Sequence, residues 1–194
     1  MSVLVYVENW EGAFKKSSFE AVSYASIVAE GMNTSVTAVC LGNVNNVNEL
    51  GRYGAEKVIV LSGFDNFNAN SFASAIQQTA STEGANIIIL SGTNNGKNVG
   101  PLLSVKHHAS FITNVVGTPS SYNPLIVRKS TFSSKGLTDF QANSENVIIS
   151  IVPNSIGITE VGKTTTVENV DIDVSSEINS EVSRLKRKKS FETS

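Results

Sequence analysis

The hydrophobic positions of this chain form short apolar runs, which alternate with longer stretches in which apolar residues recur every three or four positions. Short β-branched runs are typical of buried strands, and the three-and-four spacing is typical of amphipathic helices. In the first hundred residues the pattern predicts these strands: Val3–Val7, Ser35–Leu41, Lys57–Leu61 and Ile87–Ser91. Because helical stretches separate them, we expect parallel strands with helices on the faces of the sheet.

Two of these strands are entered by similar sequences, which indicates a structural repeat. Gly54-Ala55 precedes one strand and Gly84-Ala85 precedes another, 30 residues later. This offset matches the length of one strand-helix-strand crossover, so successive units place parallel strands side by side. The predicted architecture is a three-layer α/β domain with a mostly parallel sheet and helices on both faces.

Local signals predict where the first helices begin and end. Ser17 and Glu20 have the spacing of a capping box, so we expect a helix to begin there. Gly31 is expected to stop that helix from the C′ position. Residues 44–53 predict a short helix that Gly54 closes.

Two further helices are predicted from a cap and a proline. Asn70 has the residue type of an N-cap, and Gly84 is expected to stop the helix that follows it. Pro101 suits the first position of another helix, running to about His108, because its missing amide would be unpaired there anyway.

After Ala109 the pattern changes to short strand-like segments without a convincing helix among them: Phe111–Val116, Leu125–Lys129, Leu137–Gln141 and Val147–Val152. Parallel crossovers need length, so we expect these segments to pair antiparallel at an edge of the sheet. Thr165–Val174 predicts one more strand. The predicted domain covers residues 1–175, and residues 176–194 read as a basic linker.

Charge and composition narrow the possible functions. The chain has 194 residues, is 40% hydrophobic and carries a formal net charge of −2. Five of its basic residues lie between Arg184 and Lys189, so the rest is acidic and a poor platform for nucleic acid. With Cys40 as its one cysteine, no room for a signal peptide before Val3 and no long apolar run, we expect a cytoplasmic protein without membrane insertion.

The glycine-rich corner Gly92–Gly100 follows a predicted strand and precedes a helix, a place where α/β proteins bind phosphate. It is not a P-loop, because the spacing to Gly96 is too short and Lys97 is followed by Asn98. Tight turning of the backbone or contact with a partner explains the same glycines.

The other reactive residue types give no catalytic, cofactor-binding or metal-binding set. His107 and His108 are adjacent and point in different directions on a helix, so one is expected to be partly buried and the other exposed. Cys40 ends an apolar strand and reads as a structural thiol. Trp10 is expected to be buried against the sheet edge, with a protein contact as the alternative.

A set of short sequences, taken in order, resembles the N-terminal domain of the electron transfer flavoprotein alpha subunit. They are Val3-Leu4-Val5-Tyr6-Val7-Glu8, Phe19-Glu20-Ala21, the Gly-Ala-x-x-Val strand entry at Gly54, Ser91-Gly92-Thr93, Gly96-Lys97-Asn98, Pro101 and Val152-Pro153-Asn154-Ser155. The resemblance runs from residue 3 to about residue 175. It implies an adenine nucleotide alpha hydrolase-like sheet, of the type found in electron transfer flavoproteins.

The resemblance also implies a function. Members of this family form a heterodimer of alpha and beta subunits, which takes electrons from dehydrogenases, typically the acyl-CoA dehydrogenases of fatty acid beta-oxidation, and passes them to a quinone reductase. The FAD is held mainly by a C-terminal alpha domain that would follow this chain, and the family's AMP lies in the beta subunit. The chain is therefore expected to be a scaffold that binds no FAD itself and to be an electron carrier subunit, not an enzyme.

Two alternatives use the same sheet. A universal-stress-type module would bind an adenine nucleotide, AMP or ATP, at Gly92–Gly100. A hydrolase would need a nucleophile and a base, and the sequence shows no arrangement of either.

Overall fold

The computed structural model describes residues 2–171. The strands are β1 (Ser2–Tyr6), β2 (Asn9–Trp10), β3 (Ala13–Phe14), β4 (Ser35–Leu41), β5 (Lys57–Ser62), β6 (Ala85–Ser91), β7 (Ser110–Val115), β8 (Ser121–Tyr122), β9 (Leu125–Thr131), β10 (Gly136–Gln141), β11 (Val147–Ile151) and β12 (Thr166–Asp171). The helices are α1 (Lys16–Gly31), α2 (Ala69–Glu83) and α3 (Asn94–Lys106), with a 3₁₀ helix at Val47–Tyr53. This order begins with the alternation of strands and helices that the hydrophobic pattern predicts.

One mixed sheet organises residues 2–171, with the strand order β10-β9-β7-β11-β6-β1-β4-β5-β12. The strands β7, β11, β6, β1, β4, β5 and β12, in that spatial order, are all parallel to one another. The strand β9 is antiparallel to β7, and β8 and β10 are each antiparallel to β9. The strands β2 and β3 form a separate small hairpin. The predicted mostly parallel sheet with an antiparallel edge extension is confirmed.

The strand β11 corrects the prediction for the later part of the chain. It lies between β7 and β6 and is parallel to both, so the late segments do not all pair antiparallel. Only the two segments that became β9 and β10 form the expected hairpin. The connection from β7 to β11 contains that hairpin and is long enough for a crossover, and all five β11 residues are buried, as parallel interior strands require.

The core consists of two hydrophobic layers, one on each face of the sheet. Alternate residues of β1 divide between them, because successive side chains of a strand point to opposite faces. Helix α1 covers one face with Ala21, Tyr24, Ala25 and Val28. Helices α2 and α3 cover the other face with Phe72, Ile76, Val99 and Leu103.

The structure corrects two predicted helix starts. Helix α1 begins at Lys16 without a side-chain cap, so the Ser17/Glu20 capping box is wrong. Helix α2 is capped by Asn68, whose side chain accepts hydrogen bonds from the amides of Asn70 and Ser71, and not by Asn70. For α2 the predicted residue type was right but its position was two residues too late, whereas for α1 no side chain caps the helix.

The glycine and proline predictions for the helix ends were confirmed at two positions and wrong at two others. Gly54 and Gly84 adopt the left-handed conformation expected of residues that end helices. Gly31 is instead the last residue of α1, and its missing side chain leaves room for the ring of Tyr122. Pro101 lies inside α3 and does not begin it, because Thr93 caps the helix earlier.

The strand β12 pairs in parallel with β5 at one end of the sheet. It confirms the predicted strand as far as Asp171. The rest of that segment and the predicted linker at 176–194 lie outside the described residues. None of the helices among residues 2–171 combines the length and the apolar character needed to cross a bilayer.

Candidate functional site

The carboxyl ends of β1 and β6 flank the crevice where open α/β sheets usually bind ligands. From β1 the chain adds β4 and β5 on one side, and β6 lies on the other side. A change of direction of this kind opens a crevice beyond the strand ends. Glu8 follows β1 at this point, and Thr93 follows β6.

A buried carboxylate fills this crevice. Glu8 is 8% exposed, and the hydroxyl of Thr93 donates a hydrogen bond to its Oε1. Thr93 also caps α3, because its Oγ1 accepts a hydrogen bond from the Gly96 amide at 3.1 Å. The Ser18 hydroxyl donates to the main-chain oxygen of Glu8 at 2.6 Å. The acidic group therefore lies beside the first turn of α3, where a helix favours negative charge.

The environment of Glu8 shifts the titration of its carboxyl group toward the protonated form. Burial raises the pKa of this carboxyl above the ordinary value of 4.5. The Thr93 hydroxyl, the positive charge of Lys15 and the Gly96 amide oppose that shift only in part. A raised pKa means that the folded chain holds this proton more tightly than the unfolded chain does.

We expect E8Q to change how stability depends on pH. Protonation of Glu8 stabilises the fold, so its contribution is fully present below about pH 4.5 and is lost as the pH rises through the raised folded pKa. The free energy of unfolding of the wild type minus that of E8Q should therefore fall as the pH rises from 4.5 to 7. Urea unfolding of both proteins at several pH values measures this difference. The exposed neighbour gives a control, E11Q, and a flat or rising difference for E8Q contradicts the assignment.

The corner Gly92–Gly100 uses its glycines for close packing of the backbone. A Cβ on Gly92 would lie 2.8 Å from the main-chain oxygen of Ile151, and one on Gly96 would overlap the main-chain oxygen of Ser91. The Gly96 amide already donates to Thr93, and the Glu8 carboxylate lies beside it. This geometry explains the glycines by tight turning of the backbone beside the buried Glu8 carboxyl group.

The histidines and the cysteine lie where the sequence predicts. His107 is 9% exposed, with Nε2 3.2 Å from the main-chain oxygen of Ala85, whereas His108 is exposed. Cys40 is fully buried, and burial raises the pKa of its thiol to about 12, which keeps it protonated and unreactive. Among residues 2–171 no three histidine, cysteine or acidic side chains come together as a metal site.

A groove of about 610 Å³ lies between α3 and the β9–β10 hairpin. Its walls include Lys97, Pro101, Phe111 and Leu137, and its lining residues include no aspartate or glutamate. The hairpin beside it exposes three large hydrophobic side chains: Phe132 (84%), Leu137 (65%) and Phe140 (44%). Exposed apolar residues concentrated on one protruding element are typical of a protein interface.

A second cleft is aromatic. Tyr6, Trp10, Phe64, Phe67 and Phe72 line a space of about 450 Å³ at the carboxyl edge of the sheet. Trp10 is 64% exposed at the β2–β3 hairpin, so its predicted burial is wrong. The hairpin turns the indole away from the core, and the Nζ of Lys15 lies 4.9 Å from its ring centroid.

Comparison with known proteins places this fold in a family. A family model described as the electron transfer flavoprotein domain matches residues 3–176, which is nearly all of the described chain. The chain belongs to this family. The resemblance found in the sequence is thus confirmed at the level of the family.

Three curated relatives are similar to this chain. The "Acryloyl-CoA reductase electron transfer subunit beta" of Anaerotignum propionicum is 23% identical over 80% of this chain and 43% of its own length. "Protein FixB" of Clostridium saccharobutylicum is 27% identical over 54% of this chain and 32% of its own. The "Electron transfer flavoprotein subunit alpha" of Megasphaera elsdenii is 29% identical over 51% and 30%. The chain spans less than half the length of each of these relatives.

In this electron transfer flavoprotein domain, Glu20 is the residue whose role the sequence did not show. Its side chain is 2% exposed and accepts hydrogen bonds from the amides of Asn154, Ile156 and Gly157, at 2.6, 2.8 and 3.0 Å. These hydrogen bonds attach the loop that follows β11 to the start of α1. The only sequence signal for this role was an acidic residue early in a predicted helix, and we interpreted it as part of a capping box.

Proposed function

We propose that this chain is the N-terminal domain of an electron transfer flavoprotein alpha subunit and serves as a scaffold for FAD-mediated electron transfer. The observation that supports this most directly is the family match over residues 3–176, which covers nearly all of the described sheet. Two of the matching relatives are named as electron transfer subunits. In our proposal FAD is held mainly by a C-terminal domain that follows this one, and this domain itself binds none.

The described side chains support a passive role in redox chemistry. The Cys40 thiol is buried and stays protonated, and residues 2–171 contain no cluster suited to a metal. In our proposal, electron transfer by the whole protein uses an organic cofactor, for which the protein supplies binding and orientation. The domain acts as an electron carrier's scaffold and not as an enzyme.

We also assign the chain to the alpha subunit and propose its partners. One relative is named as an alpha subunit and another as a subunit beta, so their names alone do not choose between the two. The order of the sequences from Val3 to Ser155 and the basic run from Arg184 favour alpha. The partners are then a beta subunit, dehydrogenases as electron donors, typically acyl-CoA dehydrogenases of fatty acid beta-oxidation, and a quinone reductase as acceptor, in the cytoplasm.

The β9–β10 hairpin is the surface that we assign to the beta subunit. It combines the exposed side chains of Phe132, Leu137 and Phe140 with β10, whose outer edge has no neighbouring strand among residues 2–171. A bidentate ion pair joins the two strands of the hairpin, in which Arg128 donates to Asp139 at 2.8 and 3.1 Å. An apolar projection with an unpaired strand edge suits a subunit contact.

Co-expression with the beta subunit of the same organism's electron transfer flavoprotein tests the proposal. We expect the two chains to purify together in equal amounts, and the 194-residue chain alone to show no flavin absorbance and no heat of ATP binding in calorimetry. Stoichiometric flavin on the isolated chain contradicts the scaffold role. Saturable ATP binding without association with the beta subunit favours the universal-stress-type alternative.

Replacing Phe132 with serine is expected to weaken association with the beta subunit by about 10- to 100-fold, because an aromatic anchor at an interface commonly contributes that much. Surface plasmon resonance on the purified chains measures the dissociation constants. Val105, which is 75% exposed on α3, provides a matched control in the variant V105S. Equal losses in F132S and V105S, or no loss in either, remove the hairpin from the interface.

A further inference from the structure

One wall of the aromatic cleft is a packed cluster of rings. The ring of Phe72 contacts three other aromatic rings edge to face, those of Tyr6, Phe64 and Phe67, with centroids 5.0 to 6.2 Å apart. Phe67 is nevertheless 41% exposed and Trp10 is 64% exposed. Exposed aromatic rings are favourable surfaces for cations and for apolar side chains.

The rim of the aromatic cleft is acidic. Glu11 and Asp65 line this cleft and also an adjoining one of about 290 Å³. Neither cleft has a lysine or an arginine among its lining residues, and no ion pair joins Glu11 or Asp65 to another of residues 2–171. The ammonium of Lys15 above Trp10 shows that this indole already attracts a cation. The cleft therefore fits a segment that presents several positive charges and an apolar side chain.

The chain itself contains such a segment. Arg184-Leu185-Lys186-Arg187-Lys188-Lys189, here called the basic segment, has five positive charges and one leucine. Arginine in particular stacks on aromatic rings while it pairs with carboxylates. The basic segment matches the aromatic cleft in charge sign and in chemistry.

The topology of the sheet places the end of β12 at the same edge as the aromatic cleft. The strand β12 runs parallel to β5, and its last residue, Asp171, is paired with Ser62. Two residues after Ser62, Phe64 begins the wall of the cleft, so β12 ends at the same edge of the sheet. Three strand spacings separate β12 from β1, about 14 Å, and the twelve residues 172–183 can span up to about 40 Å.

We propose that the basic segment binds in the aromatic cleft of the same molecule, with arginine and lysine side chains over the exposed rings and against Glu11 and Asp65. Each of these contacts is weak at a protein surface. The connection through β12 raises the effective concentration of the basic segment to the order of millimolar, so several weak contacts are enough. The result is a salt-sensitive attachment that holds the chain after β12 at this edge, whichever subunit the chain represents.

Trp10 is the only tryptophan, so its fluorescence reports directly on the cleft. In the full chain we expect the triple variant R184Q/K186Q/R187Q to raise the acrylamide quenching constant of Trp10 about twofold, because a cation over one face of the indole shields that face. Sodium chloride at 1 M, where the Debye length falls to about 3 Å, should raise the quenching constant more in the wild type than in the triple variant, which keeps only the Lys15 contact. Acrylamide is uncharged, so salt does not alter its access directly.

Acidic variants provide the matched comparison. E11Q/D65N should raise quenching as the triple variant does, and combining the two sets should add nothing further, because both remove the same contact. E30Q/E145Q changes the net charge equally on exposed residues outside both clefts and should leave quenching unchanged. Unchanged quenching in the triple variant overturns the proposal. So does wild-type quenching that depends on protein concentration, which would place the basic segment in the cleft of a second copy.

Discussion

Replacing Glu20 with alanine is expected to lower the free energy of unfolding by about 3–5 kcal/mol, the largest effect of any substitution considered. The variant leaves three amides, those of Asn154, Ile156 and Gly157, without the carboxylate that now accepts from all three. Hydrogen bonds to a charged group contribute about 1.5–3 kcal/mol each, although three bonds to one group are not additive. Urea denaturation of wild type and variant measures the change.

The variant E20Q separates the effect of the Glu20 hydrogen bonds from the effect of its charge. E20Q keeps one oxygen acceptor but turns an amino group toward at least one of the amides, so its loss should lie between that of E20A and zero. E30A, on the exposed end of the same helix, should change stability by less than about 0.5 kcal/mol. In E20A, hydrogen exchange should accelerate first at residues 154–157. A loss in E20A no greater than that in E30A contradicts the role of Glu20 as the anchor of this loop.

Replacing Gly96 with alanine is expected to lower the free energy of unfolding by about 2–4 kcal/mol, despite alanine's better helix propensity. The gain in propensity is about 1 kcal/mol in a helix interior. Against it, the new Cβ overlaps the main-chain oxygen of Ser91, and neither backbone can move without shifting α3 from β6. The cost of overpacking therefore exceeds the gain.

The control for G96A is G117A. A Cβ on Gly117 would lie 3.4 Å from the Cβ of Arg128, which is an ordinary contact, and this glycine lacks a left-handed conformation. Thermal and urea unfolding of the two variants should differ by at least about 1.5 kcal/mol. If G96A is as stable as G117A, the glycines of the corner are not required for close packing, and their role would have to be sought in a ligand.

Much of the fold was predictable because its signals are local. The strand β4 was predicted at its exact bounds from one β-branched run, and Gly54 and Gly84 were predicted to end helices because a left-handed residue does so without strain. The strand β11 was misplaced. Its apolar sequence suits any interior strand, and only the path of the hairpin between β7 and β11 decides which neighbours it pairs with.

The candidate sites were much less predictable. The sequence showed Glu8 only as part of a family resemblance, and nothing local indicated that its carboxylate meets Thr93, 85 residues later. Trp10 was expected to be buried, but the β2–β3 hairpin exposes it beside Phe64 and Phe67. Contacts between distant segments depend on where the sheet places the ends of its strands, and a single sequence does not encode that in any one motif.

The sequence by itself determined the class of fold, the parallel half of the sheet and the family, because hydrophobic periodicity, turn residues and the order of short motifs are properties of neighbouring positions. The tertiary structure alone decided that Glu8 fills the crevice between the carboxyl ends of β1 and β6. It also decided that Glu20 anchors a distant loop and that aromatic residues from separate segments form one cleft. These features arise from packing. Side chains far apart along the chain acquire their partners only when the strands are assembled side by side.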